Sequence, residues 1–277
     1  MAEEAGTGMA GGPAAGRAPR VVVALDFPDA AAALSMAGRL PAGTWVKVGL
    51  ELFAAAGPEV VERLSAQGHP VFLDLKVHDI PNTAAGAVRS AAGLGARLLT
   101  VHAAGGRAML EAAAGAAREA DPGGPAGGAG GVAGAGGPGG AGGPAGAGSD
   151  DRLRLLAVTV LTSLDDAALA EVMGDGASAE EAVGRLAALA RGAGIDGAVA
   201  SVQECRAVKA VCGEAFLVAT PGIRLAGGDV HDQKRVATPA DARDAGSDFL
   251  VVGRAITAAA DPAAALARVR REAGGAG

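Results

Sequence analysis

Tyrosine is absent from this 277-residue chain, tryptophan occurs once and cysteine twice. Two cysteines, Cys205 and Cys212, exclude a disulfide framework and a zinc site. Seven apart on a predicted helix, they share one face and read as small reduced core residues. The lone Trp45 reads as packing. No apolar run is long enough to span a bilayer. A net charge of −6 leaves no broad basic surface, so no nucleic-acid partner is expected. Residues 1–19 are Gly/Ala-rich, carry Glu3 and Glu4 early, and lack the basic-then-apolar plan of a signal peptide. They are expected to form a disordered lead, with a cytoplasmic location as the default.

What the chain does have is a repeated alternation. With 50% hydrophobic and 19% charged residues it can bury one large core. Apolar runs at Val21–Asp26, Trp45–Gly49, Val71–Leu73, Leu98–Ala103, Leu155–Leu161, Gly197–Ser201, Phe216–Thr220 and Phe249–Val252 read as strands. Helical patterns over 29–40, 57–67, from Pro81, 106–119, 165–173 with 178–192, 203–211, 239–245 and 262–273 follow them in turn. Only residues 122–148 break the rhythm, with 15 Gly, 7 Ala, 4 Pro and one Val. Such a stretch can neither hold a helix nor fill a core, and reads as a flexible surface insertion rather than a domain boundary, because the alternation resumes unchanged after it. Eight β–α units predict a closed (β/α)8 TIM barrel, a single domain over 20–273, in preference to a doubly wound open sheet.

The most informative stretch is Val71-Phe-Leu-Asp-Leu-Lys-Val-His-Asp-Ile-Pro-Asn-Thr83. Its apolar start reads as a buried strand ending near Asp74, with Asp74 and Lys76 on one face of an extended chain. Inward charges are costly unless paired, so the pattern marks either a structural ion pair or a site. Asp79, the break at Pro81 and the rest of the chain favour a site. The C-terminal ends of barrel strands carry the active site, and there the sequence places Asp26, Lys47, Asp74, Lys76, Asp79, Thr162, Arg224 and Arg254. Lys76 between carboxylates is expected to keep its proton, which suits a proton donor or a stabiliser of negative charge, not a Schiff-base nucleophile. Lys47 could complete an alternating Lys–Asp–Lys–Asp array. A metal held by Asp74 and Asp79 would have to compete with both lysines. His78 and His102 read as satisfied structural histidines.

Late in the chain, Pro221-Gly-Ile-Arg224 follows strand seven and Gly253-Arg254 follows strand eight, where TIM barrels commonly hold phosphate. Arginine can grip phosphate with two donors, and Gly253 lets the backbone approach closely. The polar, Gly-containing stretch 225–237 is long enough to act as a lid from which Gln233 could reach the phosphate.

Together, Ala24-Leu-Asp26, Val46-Lys-Val-Gly49, the Asp74-x-Lys76-x-x-Asp79 block through Thr83, Val158–Ser163, Thr220–Arg224, Asp232-Gln233 and Val252-Gly-Arg254 resemble the orotidine 5′-phosphate decarboxylase family, most closely its shorter bacterial branch. The resemblance implies that Lys76 protonates C6 of the pyrimidine as carbon dioxide leaves. Asp74 would lie near the departing carboxylate, and Lys47 would hold Asp74 and the ribose. Asp26 would bind ribose hydroxyls and Thr162 the pyrimidine. Arg224, Gln233, Gly253 and Arg254 would bind the 5′-phosphate, with Ile80 and Pro221 also in the substrate-binding set. It further implies UMP as product, no cofactor and no metal, and a homodimer in which Asp79 and Thr83 reach the neighbouring subunit's site. A magnesium-dependent sugar-phosphate decarboxylase or aldolase of the same superfamily and a non-catalytic phosphate-binding barrel are the rival readings.

Overall fold

A computed structural model describes residues 18–121, 152–174, 178–225 and 237–275. The expected insertion 122–148, residues 1–17 of the expected lead, Asp232, Gln233 and nearly all of the expected lid lie outside the described residues.

Eight parallel strands close into a barrel in sequence order: β1 (Arg20–Ala24), β2 (Trp45–Gly49), β3 (Val71–Val77), β4 (Leu98–His102), β5 (Arg154–Val158), β6 (Gly197–Val199), β7 (Leu217–Thr220) and β8 (Phe249–Val252). Closure is completed by β8 pairing with β1, with Val21 opposite Leu250 and Val23 opposite Val252. The predicted TIM barrel is therefore the observed fold. Around it run α1 (Ala30–Ala37), α2 (Leu50–Ala56), α3 (Glu59–Ala66), α4 (Pro81–Gly93), α5 (Gly106–Glu119), α6 (Asp166–Met173), α7 (Ala179–Gly192), α8 (Val202–Cys212), α9 (Pro239–Asp244), α10 (Arg254–Thr257) and α11 (Pro262–Glu272). No helix among the described residues is long and apolar enough to cross a membrane.

Local chemistry sets many of these boundaries. Asp29, Asp165 and Asp261 each accept a backbone N–H from the first turn of the helix they precede, a contact worth about 1 kcal/mol. Pro81 occupies the first turn of α4, where its missing N–H costs nothing. The helix expected over 57–67 is α3, and α2, which precedes it, is an element the sequence pattern did not show. Gly57 at φ 68 turns the chain out of α2, and Pro58 cannot donate to continue it.

Strand parity sorts the side chains. Val22, Ala24, Phe72, Leu98, Leu156, Ala219, Phe249 and Val251 pack inside the barrel, while their neighbours Val21, Val23, Leu73 and Leu250 face the helices. At the N-terminal mouth Trp45 meets Phe249 edge-on at 5.3 Å, and the Arg20 guanidinium covers both rings. Cys205 and Cys212 are buried and free, and burial pushes the Cys205 thiol up to about 12. Both are core residues, as their spacing predicts. The opposite, C-terminal mouth stays open, and the charges gather there.

Candidate active site

β3 does not end at Asp74 but continues to Val77. Its pairing with β4 shifts on the way: Leu73 lies opposite Leu99, yet Val77 lies opposite Val101, so Asp74, Leu75 and Lys76 together face Thr100. Lys76 takes up the excess with φ 51, the only described residue other than glycine at positive φ. Asp74 and Lys76 are thus brought together by a bulge and not, as an extended strand would do it, by simple alternation. Bulges of this kind re-aim side chains next to functional sites.

The result is a chain of alternating charge. Lys76 Nζ donates to Asp74 Oδ1 at 2.9 Å, Lys47 Nζ lies 3.5 Å from Asp74 Oδ2, and Lys47 Nζ donates to Asp26 Oδ1 at 3.0 Å. Lys47 and Asp74 are the sheltered pair, with side chains 11% and 15% exposed. Burial pushes the Asp74 carboxyl up, but the Lys47 and Lys76 ammoniums and the hydrogen bonds from Lys76 and Thr100 outweigh it and hold the group below its ordinary range. Within one chain the fourth member of the array is Asp26 and not Asp79. Asp79 lies past the strand, where its carboxylate accepts the N–H of Ile80 at 2.7 Å.

These charges line a cavity of about 490 Å³. Ala24, Phe72, Val158, Val199 and Val251 make its apolar floor. Lys47, Asp74 and Lys76 stand on one wall, and Arg224 and Arg254 also line it. Of the residues the sequence singles out, Asp26, Lys47, Asp74, Lys76, Thr162, Pro221, Arg224, Gly253 and Arg254 meet here. Asp79, Ile80 and Thr83 do not line the cavity; all three are exposed outside it, Ile80 to 67%. Gln233 lies outside the described residues.

Arg224 is anchored by its own strand-end turn. Ile223 bridges Ala237, and Arg224 N–H donates to Ala237 O at 2.9 Å, so the two ends of the loop after β7 are tied together. Burial, and then the neighbouring Arg254, push the Arg224 guanidinium below its ordinary range, and its Nε is buried without a hydrogen-bond partner among the described residues. Two cations and an unsatisfied donor at one mouth suit an anion. At Gly253 an added Cβ would meet only Ala24 Cβ at 3.8 Å and Asp26 Oδ2 at 4.0 Å, so the room it would occupy belongs to the cavity.

Four residues outside the predicted set also shape the site. Thr100, fully buried on β4, donates to Asp74 Oδ1 at 2.9 Å and accepts the Lys76 N–H at 2.8 Å. A polar residue in an apolar strand was the available clue. Gly49 leaves room for the Lys47–Asp26 pair, since a Cβ there would lie 3.1 Å from Lys47 Nζ. His78 and His102 stack at 5.0 Å beside the site, and the buried Nδ1 of His102 has no partner among the described residues, so it is not the satisfied histidine expected.

Comparisons with known proteins agree with this geometry. Residues 19–269 match the family model described as orotidine 5′-phosphate decarboxylase / HUMPS family. An orotidine 5′-phosphate decarboxylase of Halorhodospira halophila is 50% identical over 260 residues, covering 94% of this chain and 98% of that protein. Its counterpart from Moorella thermoacetica is 47% identical over 254 residues, covering 91% of both chains. The crystal structure of orotidine 5′-phosphate decarboxylase from Lactobacillus acidophilus superposes with a TM-score of 0.74 at 35% identity, covering 92% of this chain and 98% of that one. An enzyme from Methanocaldococcus jannaschii, complexed with the inhibitor BMP, shares the fold at 18% identity and a TM-score of 0.65, covering 92% of this chain and 99% of that one. A family model spanning most of the chain, relatives near half identity and a closed barrel with this charged mouth lead to one conclusion: the chain belongs to the orotidine 5′-phosphate decarboxylase / HUMPS family.

Proposed function

We propose that this protein decarboxylates orotidine 5′-phosphate to UMP, closing de novo pyrimidine synthesis. The observation that carries the reading is the Asp26–Lys47–Asp74–Lys76 chain set over an apolar floor, in a cavity also lined by two arginines. A pyrimidine ring suits the floor, ribose hydroxyls suit Asp26 and Lys47, and a phosphate suits Arg224, Gly253 and Arg254, with Gln233 joining from the loop after β7. Thr162 and Pro221 border the ring.

In the reaction the bond between C6 and the carboxylate breaks, and its electron pair stays on C6 as carbon dioxide leaves. Lys76 supplies the proton that C6 takes up, and its ammonium stabilises the charge developing there. Asp74 fixes Lys76 by a hydrogen bond and stands near the departing carboxylate. Lys47 holds Asp74 from the other side. Both Asp74 oxygens are engaged by lysines, so a divalent cation would have to displace an ammonium to bind there. Holding the remote phosphate contributes binding energy toward closing the site over the ring.

Asp79, Ile80 and Thr83, exposed beside but outside their own cavity, suit a homodimer in which each subunit completes its partner's site. A cytoplasmic enzyme is the matching location. The test of the activity is the absorbance of orotidine 5′-phosphate followed with purified protein in EDTA. Loss of the substrate signal with formation of UMP is expected. Activity seen only on a sugar phosphate with added magnesium would move the chain to the metal-dependent rival, and UMP binding without turnover would leave only a phosphate-binding barrel.

A further inference from the structure

We propose that Thr100 is a positioning residue of this site: through one hydroxyl it sets both the carboxylate of Asp74 and the backbone of Lys76. The inference rests on the reading of Lys76 as proton donor. Thr100 is fully buried and does not line the cavity, so it acts through its neighbours and not on a ligand.

Between paired residues Leu73–Leu99 and Val77–Val101, β3 has three residues where β4 has one. A backbone N–H that such a bulge withdraws from the ladder is costly to leave without a partner. Thr100 supplies the missing acceptor from its side chain, taking the Lys76 N–H at 2.8 Å. A hydroxyl that accepts still has one hydrogen to give, and this one goes to Asp74 Oδ1 at 2.9 Å. The same Oδ1 accepts from Lys76 Nζ at 2.9 Å. Thr100, Asp74 and Lys76 therefore close a ring of three hydrogen bonds. Its consequence is that Lys76 is held at both ends, by its N–H and by its ammonium, in a backbone conformation that a lysine rarely adopts. From β2, Lys47 faces the remaining oxygen of Asp74, and Asp26 lies beyond Lys47.

Thr100→Val keeps the shape and removes both hydrogen bonds. We expect kcat to fall about 10²-fold, the scale of a small misplacement of a reacting group, with KM and UMP affinity little changed. Thr100→Ser keeps the hydroxyl and is expected to restore most of the rate. Thr100→Ala, which removes the hydroxyl without setting a second methyl beside Asp74, is the second variant and should behave like the valine. A carboxyl NMR titration of Asp74 reads the same contact without turnover: its pKa should rise in the valine variant and stay near wild type in the serine variant. Wild-type kcat in both Thr100→Val and Thr100→Ala, a serine variant as slow as the valine, or an unmoved Asp74 titration would each overturn the inference. An inactive wild-type enzyme would instead overturn the functional reading, while the titration would still decide the role of Thr100.

Discussion

Lys76 reaches back 2.9 Å to Asp74, two residues earlier on its own strand, from a backbone at φ 51. The positive φ would not arise in a regular strand, and together the two features place an ammonium and a carboxylate side by side at the C-terminal end of the barrel. The strained residue is also the one on which the proposed chemistry depends, a coincidence common at active sites.

That strain has a measurable counterpart. Glycine tolerates positive φ and alanine does not, so Lys76→Gly is expected to be more stable than Lys76→Ala by about 1 kcal/mol. This ordering reverses the usual preference for alanine over glycine. Urea denaturation of the two variants checks it, and a more stable alanine variant would show that the bulge relaxes when the lysine is removed.

Asp74 should link stability to pH. Its folded-state carboxyl lies below the ordinary 3.8, lowered by Lys47, Lys76 and Thr100 against the effect of burial. A depressed folded-state value means stability that is present above the unfolded value and lost as pH falls through the folded one. The stability advantage of wild type over Asp74→Asn is therefore expected to be constant at neutral pH and to shrink on acidification below about 4. Unfolding curves for the pair across that range decide it; a gap that widens toward acid would contradict the assignment.

The sequence made the architecture readable and left part of the geometry hidden. Eight apolar runs with helices between them suffice to specify a barrel, because each strand needs only its own pattern. The Asp74–Lys76 pair was visible for the same local reason. The bulge was not, since it depends on how β3 pairs with β4, and Thr100 lies 24 residues beyond Lys76 in sequence. Nor was the place of Asp26 in the array, since the pairing of β1 with β2 brings it beside Lys47. The short α2 was missed because Leu50 begins the helix directly where Gly49 ends β2, with no turn residues between them.

Arg224 should answer to phosphate alone. Its partly buried guanidinium, whose Nε has no partner among the described residues, is suited to a dianion. A charge-assisted hydrogen bond is worth about 1.5–3 kcal/mol, so Arg224→Ala is expected to weaken nucleotide binding roughly ten- to hundredfold. Binding of orotidine, the nucleoside without phosphate, should be unaffected. Calorimetric titration with UMP and with orotidine separates the two cases, and equal losses for both would place Arg224 elsewhere in the mechanism.

The Gly-rich segment 122–148 lies in sequence between α5 and β5. Its removal is expected to leave kcat unchanged, because loop length carries only a small closure cost and the end of α5 and the start of β5 that flank it lie away from the strand C-termini that carry the site. Steady-state rates of the deletion variant test this, and a large loss of activity would tie the segment to the reaction.

The most direct measurement compares wild type and Lys76→Ala in EDTA, scoring UMP affinity and orotidine 5′-phosphate turnover on the same preparations. If Lys76 is the proton donor, the variant keeps a folded, UMP-binding cavity while turnover falls by at least about 10²–10⁴-fold, the usual contribution of a general acid. Turnover by Lys76→Ala close to that of wild type would contradict the account.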